Sequence, residues 1–338
     1  MPAEWEKQQS TLIGWPHNKN DWPGMFKNIP NVFAKIISKI TETQKVNLLI
    51  KNSTSKNTVK KLLKKNNAKI RNVKFIICET DRVWMRDTGP IFIKDKKNKN
   101  ILLNWKFNGW AKYKNYRADN KVGLKIKNHY KGSIISPKFN KKSIVLEGGS
   151  IDVNGKGLLL TTKECLLSKI QQRNSFLKIK DYNHIFKKFF GAKKIIWLNK
   201  GIEGDDTHGH VDDIARFVKF NKVFVAYENN KNDKNYKNLN ENFEILKRIK
   251  INYPKIKIRK IPMPRPIYIN KVRVPASYLN FYILNKSVLL PTFKDPKDKI
   301  VIKIFKKEFK NRKIIPIDCS ELIWGFGAIH CLTQQEPK

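Results

Sequence analysis

One cysteine, one histidine and three carboxylates in this chain lie in stretches whose composition departs from everything around them. Cys331 sits in Gly325-Phe326-Gly327-Ala328-Ile329-His330-Cys331-Leu332-Thr333-Gln334-Gln335, which has no acid, lysine or arginine although the 338 residues contain 70 Lys+Arg. Glycines at 325 and 327 are expected to let the backbone take conformations closed to other residues and so present a nucleophilic thiol tightly to a ligand. His210 and Asp212 belong to Glu203 to Asp213, a run with five acids and no base. Asp87 lies in Glu79 to Gly89, which has three acids against two arginines, and Glu147 lies in Ser143 to Gly155, which has no lysine or arginine. Each feature also has a plainer meaning: an isolated cysteine is often an inert buried thiol, and an acidic run is often a solvated loop or a cation site.

A thiol, an imidazole and several carboxylates suggest one chemistry when taken together. The thiolate is the nucleophile, and neighbouring carboxylates alone would make it harder to form. A cationic substrate supplies what is missing. Two carboxylates can hold a planar guanidinium by paired hydrogen bonds, its charge favours the thiolate, and its central carbon is the electrophile. An imidazole can then protonate departing ammonia and later take a proton from water. This is covalent hydrolysis of a carbon–nitrogen bond with no cofactor and no metal.

Those residues must be held by a scaffold, and the sequence outlines one. A Trp- and Pro-rich opening from Trp5 to Pro23 precedes a helical pattern from Val32 to about Thr43, a strand-like run Val46 to Ile50, a Lys-rich helix near Thr58 to Asn66 and a second strand at Val73 to Cys78. Alternation continues through an apolar run, Ile144 to Leu146, and another at Ile195 to Leu198, so the chain reads as an α/β protein. Asp87, Glu147 and Asp212 are 60 and 65 residues apart, and each borders an apolar run, which suggests a structural unit repeated about five times. No Gly-, Pro- or Ser-rich linker divides the chain, and residues 1–338 are expected to form a single domain.

Composition narrows the function further. With 40% hydrophobic residues the chain can bury a large core. A net charge of +42 raises the prospect of nucleic acid, but the basic residues are 59 Lys against 11 Arg, clustered in loops such as Lys94 to Asn100. Arginine is the usual reader of bases and phosphates, so a genome-wide codon bias explains the charge better than a specific nucleic-acid partner. The start, Met1-Pro2-Ala3-Glu4-Trp5-Glu6, lacks the basic and apolar regions of a signal peptide, and no apolar run is long enough to span a membrane. A cytoplasmic protein with four free thiols, Cys78, Cys165, Cys319 and Cys331, and no membrane partner is expected. A homo-oligomer is compatible with the sequence.

The ordered motifs resemble the agmatine deiminase and bacterial-type (Porphyromonas-type) peptidylarginine deiminase family of guanidine-modifying enzymes. The resemblance spans nearly the whole chain: Met1 to Glu6, Trp15-Pro16-His17, Val83-Trp84-Met85-Arg86-Asp87-Thr88-Gly89-Pro90, Leu146-Glu147-Gly148-Gly149, Gly204 to Asp213 with Ala215-Arg216-Phe217, Pro275-Ala276-Ser277-Tyr278-Leu279-Asn280, and Ile329 to Gln335. It implies a five-bladed, pseudo-fivefold α/β propeller, the pentein fold, with a central active site. It also implies roles: Cys331 as the nucleophile of an amidino-thioether intermediate, His210 as general acid and base, Glu147 orienting His210, Asp87 and Asp212 gripping the guanidinium, and Trp84 walling the pocket. Phe326 and Ala328 depart from the family's usual glycines before the cysteine, which bears on which guanidine fits.

The acid surplus in the motif stretches favours a doubly cationic substrate. The expectation is agmatine, hydrolysed to N-carbamoylputrescine and ammonia in putrescine biosynthesis, with peptide arginine as the alternative. A rival chemistry is a two-metal hydrolase using His208-x-His210-x-Asp212-Asp213, although it requires further histidine ligands and only His330 follows.

Overall fold

The computed structural model describes residues 1–338, and five of its sheets repeat one pattern. In each, a central strand has an antiparallel neighbour on one side and a parallel neighbour on the other. In the first sheet Gln8–Gly14 pairs antiparallel with Thr333–Pro337 and parallel with Lys45–Ile50, which continues in parallel to Val73–Ile77. Thr11 therefore lies between Val46 and Gln335, and the two chain ends share one sheet. The other centres are Asn100–Leu103, Leu158–Thr162, Lys222–Tyr227 and Ser287–Thr292. Their antiparallel partners are Ile91–Lys94, Asp152–Val153, Ala215–Lys219 and Tyr282–Ile283, and their parallel partners are Ser133–Ile135, Lys194–Leu198, Lys257–Pro262 and Lys313–Asp318.

A parallel step needs a crossover, and helices supply it. Ile29–Thr41, Ile179–Phe190, Asn235–Asn252 and Lys297–Glu308 each join a central strand to its parallel neighbour, while Ser55–Lys65 leads on to the extra strand Val73–Ile77. Ile29–Thr41 forms because Ile29, Phe33, Ile36, Ile37 and Ile40 fall on one face and are buried, with Pro30 in the first turn, where its missing N–H costs no helical bond. None of the helices is long and apolar enough to cross a membrane.

Two local expectations are corrected. Ile144, Val145 and Leu146 are buried but form no ladder; a single parallel bridge joins Val145 to Lys106. The run is apolar because it is enclosed, not because it is paired. Gly325 and Gly327 do not take the left-handed conformation; Phe326 between them does, at φ 63°. Gly327 is needed instead for a close approach, since a Cβ there would lie 2.7 Å from Trp84 Cζ3 and 3.1 Å from Cys331 Cβ.

Candidate functional site

Every one of the five sheets presents a polar residue two to five positions ahead of its antiparallel strand: Asp87, Glu147, Asp212, Asn280 and Cys331. Four lie in or beside short helical turns, Met85–Thr88, Gly148–Ser150, Val211–Asp213 and Ile329–Leu332. All five residues are buried.

On one side of the site stands the thiol. Asn280 Nδ2 lies 3.0 Å from Cys331 Sγ, while its Oδ1 accepts the backbone N–H of both His330, at 2.9 Å, and Cys331, at 3.2 Å. Asp212 Oδ2 is 3.8 Å from Sγ and 2.6 Å from His330 Nδ1. Burial pushes the thiol well above its ordinary pKa, and the carboxylates of Asp212, Asp213 and Asp87 push it further. Burial also opposes the charge of Asp212, but the His330 hydrogen bond together with the charges of His330, His210 and Arg216 holds that carboxyl below its usual range.

On the other side stands the imidazole. His210 Nδ1 is 3.8 Å from Asp87 Oδ2, and His210 Nε2 is 3.8 Å from Glu147 Oε2; neither ring nitrogen makes a hydrogen bond within the protein. Burial alone would lower the ring's pKa, but Asp87, the Cys165 thiol and Glu147 raise it well above the usual value. Asp87 is anchored by Trp110 Nε1–H on Oδ2 and the Gly149 N–H on Oδ1, each at 2.9 Å. A side chain at Gly149 would collide with this arrangement, its Cβ lying 2.5 Å from His210 Nδ1. Burial pushes the Asp87 carboxyl up, with His210 acting against it. Glu147 is also penalised by burial, but Arg173, whose Nε donates to Oε1 at 2.9 Å, holds it down to about 2.

Between these groups and solvent lies a cavity of about 210 Å³ with Trp84, Trp110, Trp324 and Phe326 as walls and Asp87 and Cys331 at the base. Asp21 and Asp206 also line it. Burial raises both carboxyls to about 6. Arg82 pairs with Asp21 at 2.7 Å and stacks on Tyr113, whose hydroxyl donates to Asp206 at 2.5 Å.

The structure thus brings together Cys331, His210, Asp87, Asp212, Glu147 and Trp84. Glu147 makes no direct hydrogen bond to His210; its strong partner is Arg173. Arg86, adjacent to Asp87 in sequence, turns away to Gln335 Oε1, at 2.7 Å, and towards Glu4. The two-metal arrangement is not assembled, because His208 points to Ser168 Oγ, at 3.2 Å, while His210 turns inward. The one trio that could offer a metal its ligand atoms is Glu147, Cys165 and His210, with those atoms within 4.8 Å of one another. Sequence reasoning did not single out Arg173, Trp110, Asp21 or the contact made by Asn280. Asn280 did fall inside a quoted motif, and Arg173 is one of the scarce arginines.

The Porphyromonas-type peptidyl-arginine deiminase family matches residues 1–337. A Mycoplasma capricolum relative that carries the provisional name agmatine deiminase is 32% identical over 360 residues, covering 100% of this chain and 95% of its own length. Among solved structures, the C. jejuni agmatine deiminase with substrate bound superposes with a TM-score of 0.88 at 31% identity, covering 100% of this chain and 96% of that one. The Enterococcus faecalis agmatine deiminase gives 0.89 at 26% identity, with 100% and 95% covered. These neighbours share the mixed α/β sheets described above.

Proposed function

Because this chain belongs to the Porphyromonas-type peptidyl-arginine deiminase family, we propose that it hydrolyses agmatine to N-carbamoylputrescine and ammonia, and that its five sheets are the blades of a pseudo-fivefold propeller around that reaction. The observation that carries the choice of substrate is the distribution of acids. Asp87 lines the cavity with Cys331, Asp212 stands 3.8 Å from the thiol sulfur, and Asp21 and Asp206 line the same cavity as Asp87 where the far ammonium would lie. A peptide arginine offers a neutral amide there, and free arginine adds a carboxylate that these acids would repel, since the one arginine lining the cavity, Arg82, is already paired with Asp21 at 2.7 Å.

In this reading Asp87 and Asp212 fix the guanidinium with its central carbon over Cys331 Sγ. The substrate's positive charge offsets the carboxylates that suppress the thiolate, so the Sγ proton is lost to solvent as the substrate binds. Sulfur adds to carbon, the resulting tetrahedral centre expels one amino group, and the raised basicity of His210 keeps it protonated to hand that group a proton, releasing ammonia. The amidino thioether then accepts water, whose proton His210 takes. Collapse breaks the carbon–sulfur bond, the remaining hydroxyl proton passes to solvent, and the thiolate returns as the ureido product forms. Glu147, locked by Arg173, holds its negative charge beside His210 Nε2 throughout.

The test offers purified protein agmatine, free arginine and an arginine-containing peptide side by side and measures ammonia and ureido product. Turnover of agmatine with little of the others supports the proposal. Preferential turnover of the peptide overturns the substrate assignment.

A further inference from the structure

We infer that Glu4 and His330 form a charged positioning relay for Asp212, an inference that rests on the deiminase reading for its kinetic consequence but not for its protonation state. Both ring nitrogens of His330 face carboxylates: Nδ1 lies 2.6 Å from Asp212 Oδ2, and Nε2 lies 2.8 Å from Glu4 Oε2. A neutral imidazole has one N–H to donate, so two carboxylate acceptors at these distances call for an imidazolium with both nitrogens protonated.

Glu4 is secured as an anion by its other neighbours. Arg216 Nη2 donates to Oε2 at 2.7 Å, Arg86 Nη2 is 3.7 Å away, and Oε1 accepts the Ile283 N–H at 2.7 Å. Burial opposes its charge, but Arg216 and His330 hold the carboxyl well below its ordinary range. Arg216 also pairs with Asp152 at 2.7 Å. Glu4, Asp152 and Asp212 thus stand against Arg86, Arg216 and His330. All six are buried, and their charges balance when the ring is charged; an unpaired buried charge is strongly destabilising.

The arrangement has a consequence at the site. Asp212 Oδ2 is engaged by the ring, while Oδ1 is buried without a hydrogen bond in the protein and is left for a substrate N–H. The relay also fixes where that oxygen points. Besides His330, Asp212 is faced by the cations His210, Arg216 and Arg86 and by Asp87, Asp213 and Cys331. Glu4 is therefore a positioning residue, acting from the opposite end of the sequence.

The experiment pairs ¹⁵N-histidine NMR of the substrate-free protein with kinetics of Glu4→Gln, which keeps the shape and one acceptor but removes the charge. Wild type is expected to show protons on both His330 nitrogens near neutral pH, and Glu4→Gln on one. In the variant, replacing a charge-assisted contact by a neutral one should raise the KM for agmatine roughly tenfold with a smaller change in kcat. The acid limb of kcat/KM should move to higher pH as Asp212 loses the His330 imidazolium and keeps only Arg216 and His210 as cationic neighbours. A single ring proton in wild type overturns the relay, whether or not the variant folds. Two ring protons in a protein that turns over no guanidine would support the relay's charge state while overturning the functional reading. An unchanged pH limb in a folded Glu4→Gln overturns the positioning role.

Discussion

Replacing Asp87 with asparagine removes a charge while almost preserving shape. The carboxylate accepts Trp110 Nε1–H and the Gly149 N–H at 2.9 Å on separate oxygens. An amide can accept one of these and must turn its own NH₂ towards the other, losing about 1 kcal/mol of hydrogen bonding. Against that loss stands a gain: burial pushes the Asp87 carboxyl up, so the native fold binds this proton more tightly than the unfolded chain does. Its contribution to stability therefore falls as pH rises through the carboxylate range, and at neutral pH the charge is a burden on the fold. The two effects oppose each other, and Tm should change little. Catalysis should respond differently. Hydrogen bonds to charged groups contribute about 1.5–3 kcal/mol, so losing the anionic partner of the guanidinium should lower kcat/KM by roughly ten- to a hundredfold. Asp87 also raises the pKa of His210 across 3.8 Å, so the alkaline limb of kcat should move to lower pH in the variant. Steady-state kinetics across pH, with thermal unfolding at pH 7, provide the check. Activity within threefold of wild type would refute the placement of the guanidinium between Asp87 and Asp212, and an activity loss matched by a large fall in Tm would refute its separation from stability.

Three further outcomes follow from the same geometry. Burial and the carboxylates around Cys331 raise its pKa, so neutral iodoacetamide should alkylate it slowly at pH 7.5 and faster as pH rises, whereas a haloalkyl amidine bringing its own cation should react faster at neutral pH; mass spectrometry of the modified thiol reports both, and equal rates would contradict the need for a cation. Asp21 and Asp206 are raised to about 6 by burial, so they lose charge below that pH and the KM for agmatine should climb there, less steeply in Asp206→Asn. Arg173→Gln leaves Glu147 buried with only His210, at 3.8 Å, as a cationic neighbour, which should cost about 3 kcal/mol of stability by denaturant unfolding and lower kcat as well.

Much of this site was legible because the surrounding sequence is so biased. In a chain this rich in lysine, a stretch without it is conspicuous, and Asp87, Glu147, Asp212 and Cys331 were found by that contrast. The 60 and 65 residue spacings correspond to three separate sheets, since each of those residues precedes the antiparallel strand of its own sheet. Contacts made across the fold were not legible. Glu4 reaches His330 across 326 positions, and nothing local in either segment announces the other. Arg173 meets Glu147 from a loop with no periodic pattern. Ile144 to Leu146 misled because an apolar run records burial, and burial alone does not distinguish a paired strand from an enclosed loop. At Gly325 and Gly327 the error lay in the kind of freedom: the glycines provide clearance, while Phe326 carries the left-handed turn.

The arginines carry the signal that the lysines obscure. No lysine is buried in this protein, whereas Arg86, Arg173 and Arg216 all are. A compact, strongly hydrated ammonium keeps lysine at the surface, but a guanidinium is more weakly hydrated and can satisfy several fixed acceptors at once. Arg216 does so with Asp152, Glu4 and the carbonyls of Leu279 and Phe281. The positions where a lysine-biased chain retains arginine are thus enriched in places where a buried carboxylate must be neutralised. Here those carboxylates surround the site: Glu147 beside His210, and Glu4 behind His330 and Asp212. The basic exterior can coexist with a cation-binding cavity because surface charges are screened over roughly 8 Å at physiological salt, while buried acids act at contact distance in a medium that screens them less.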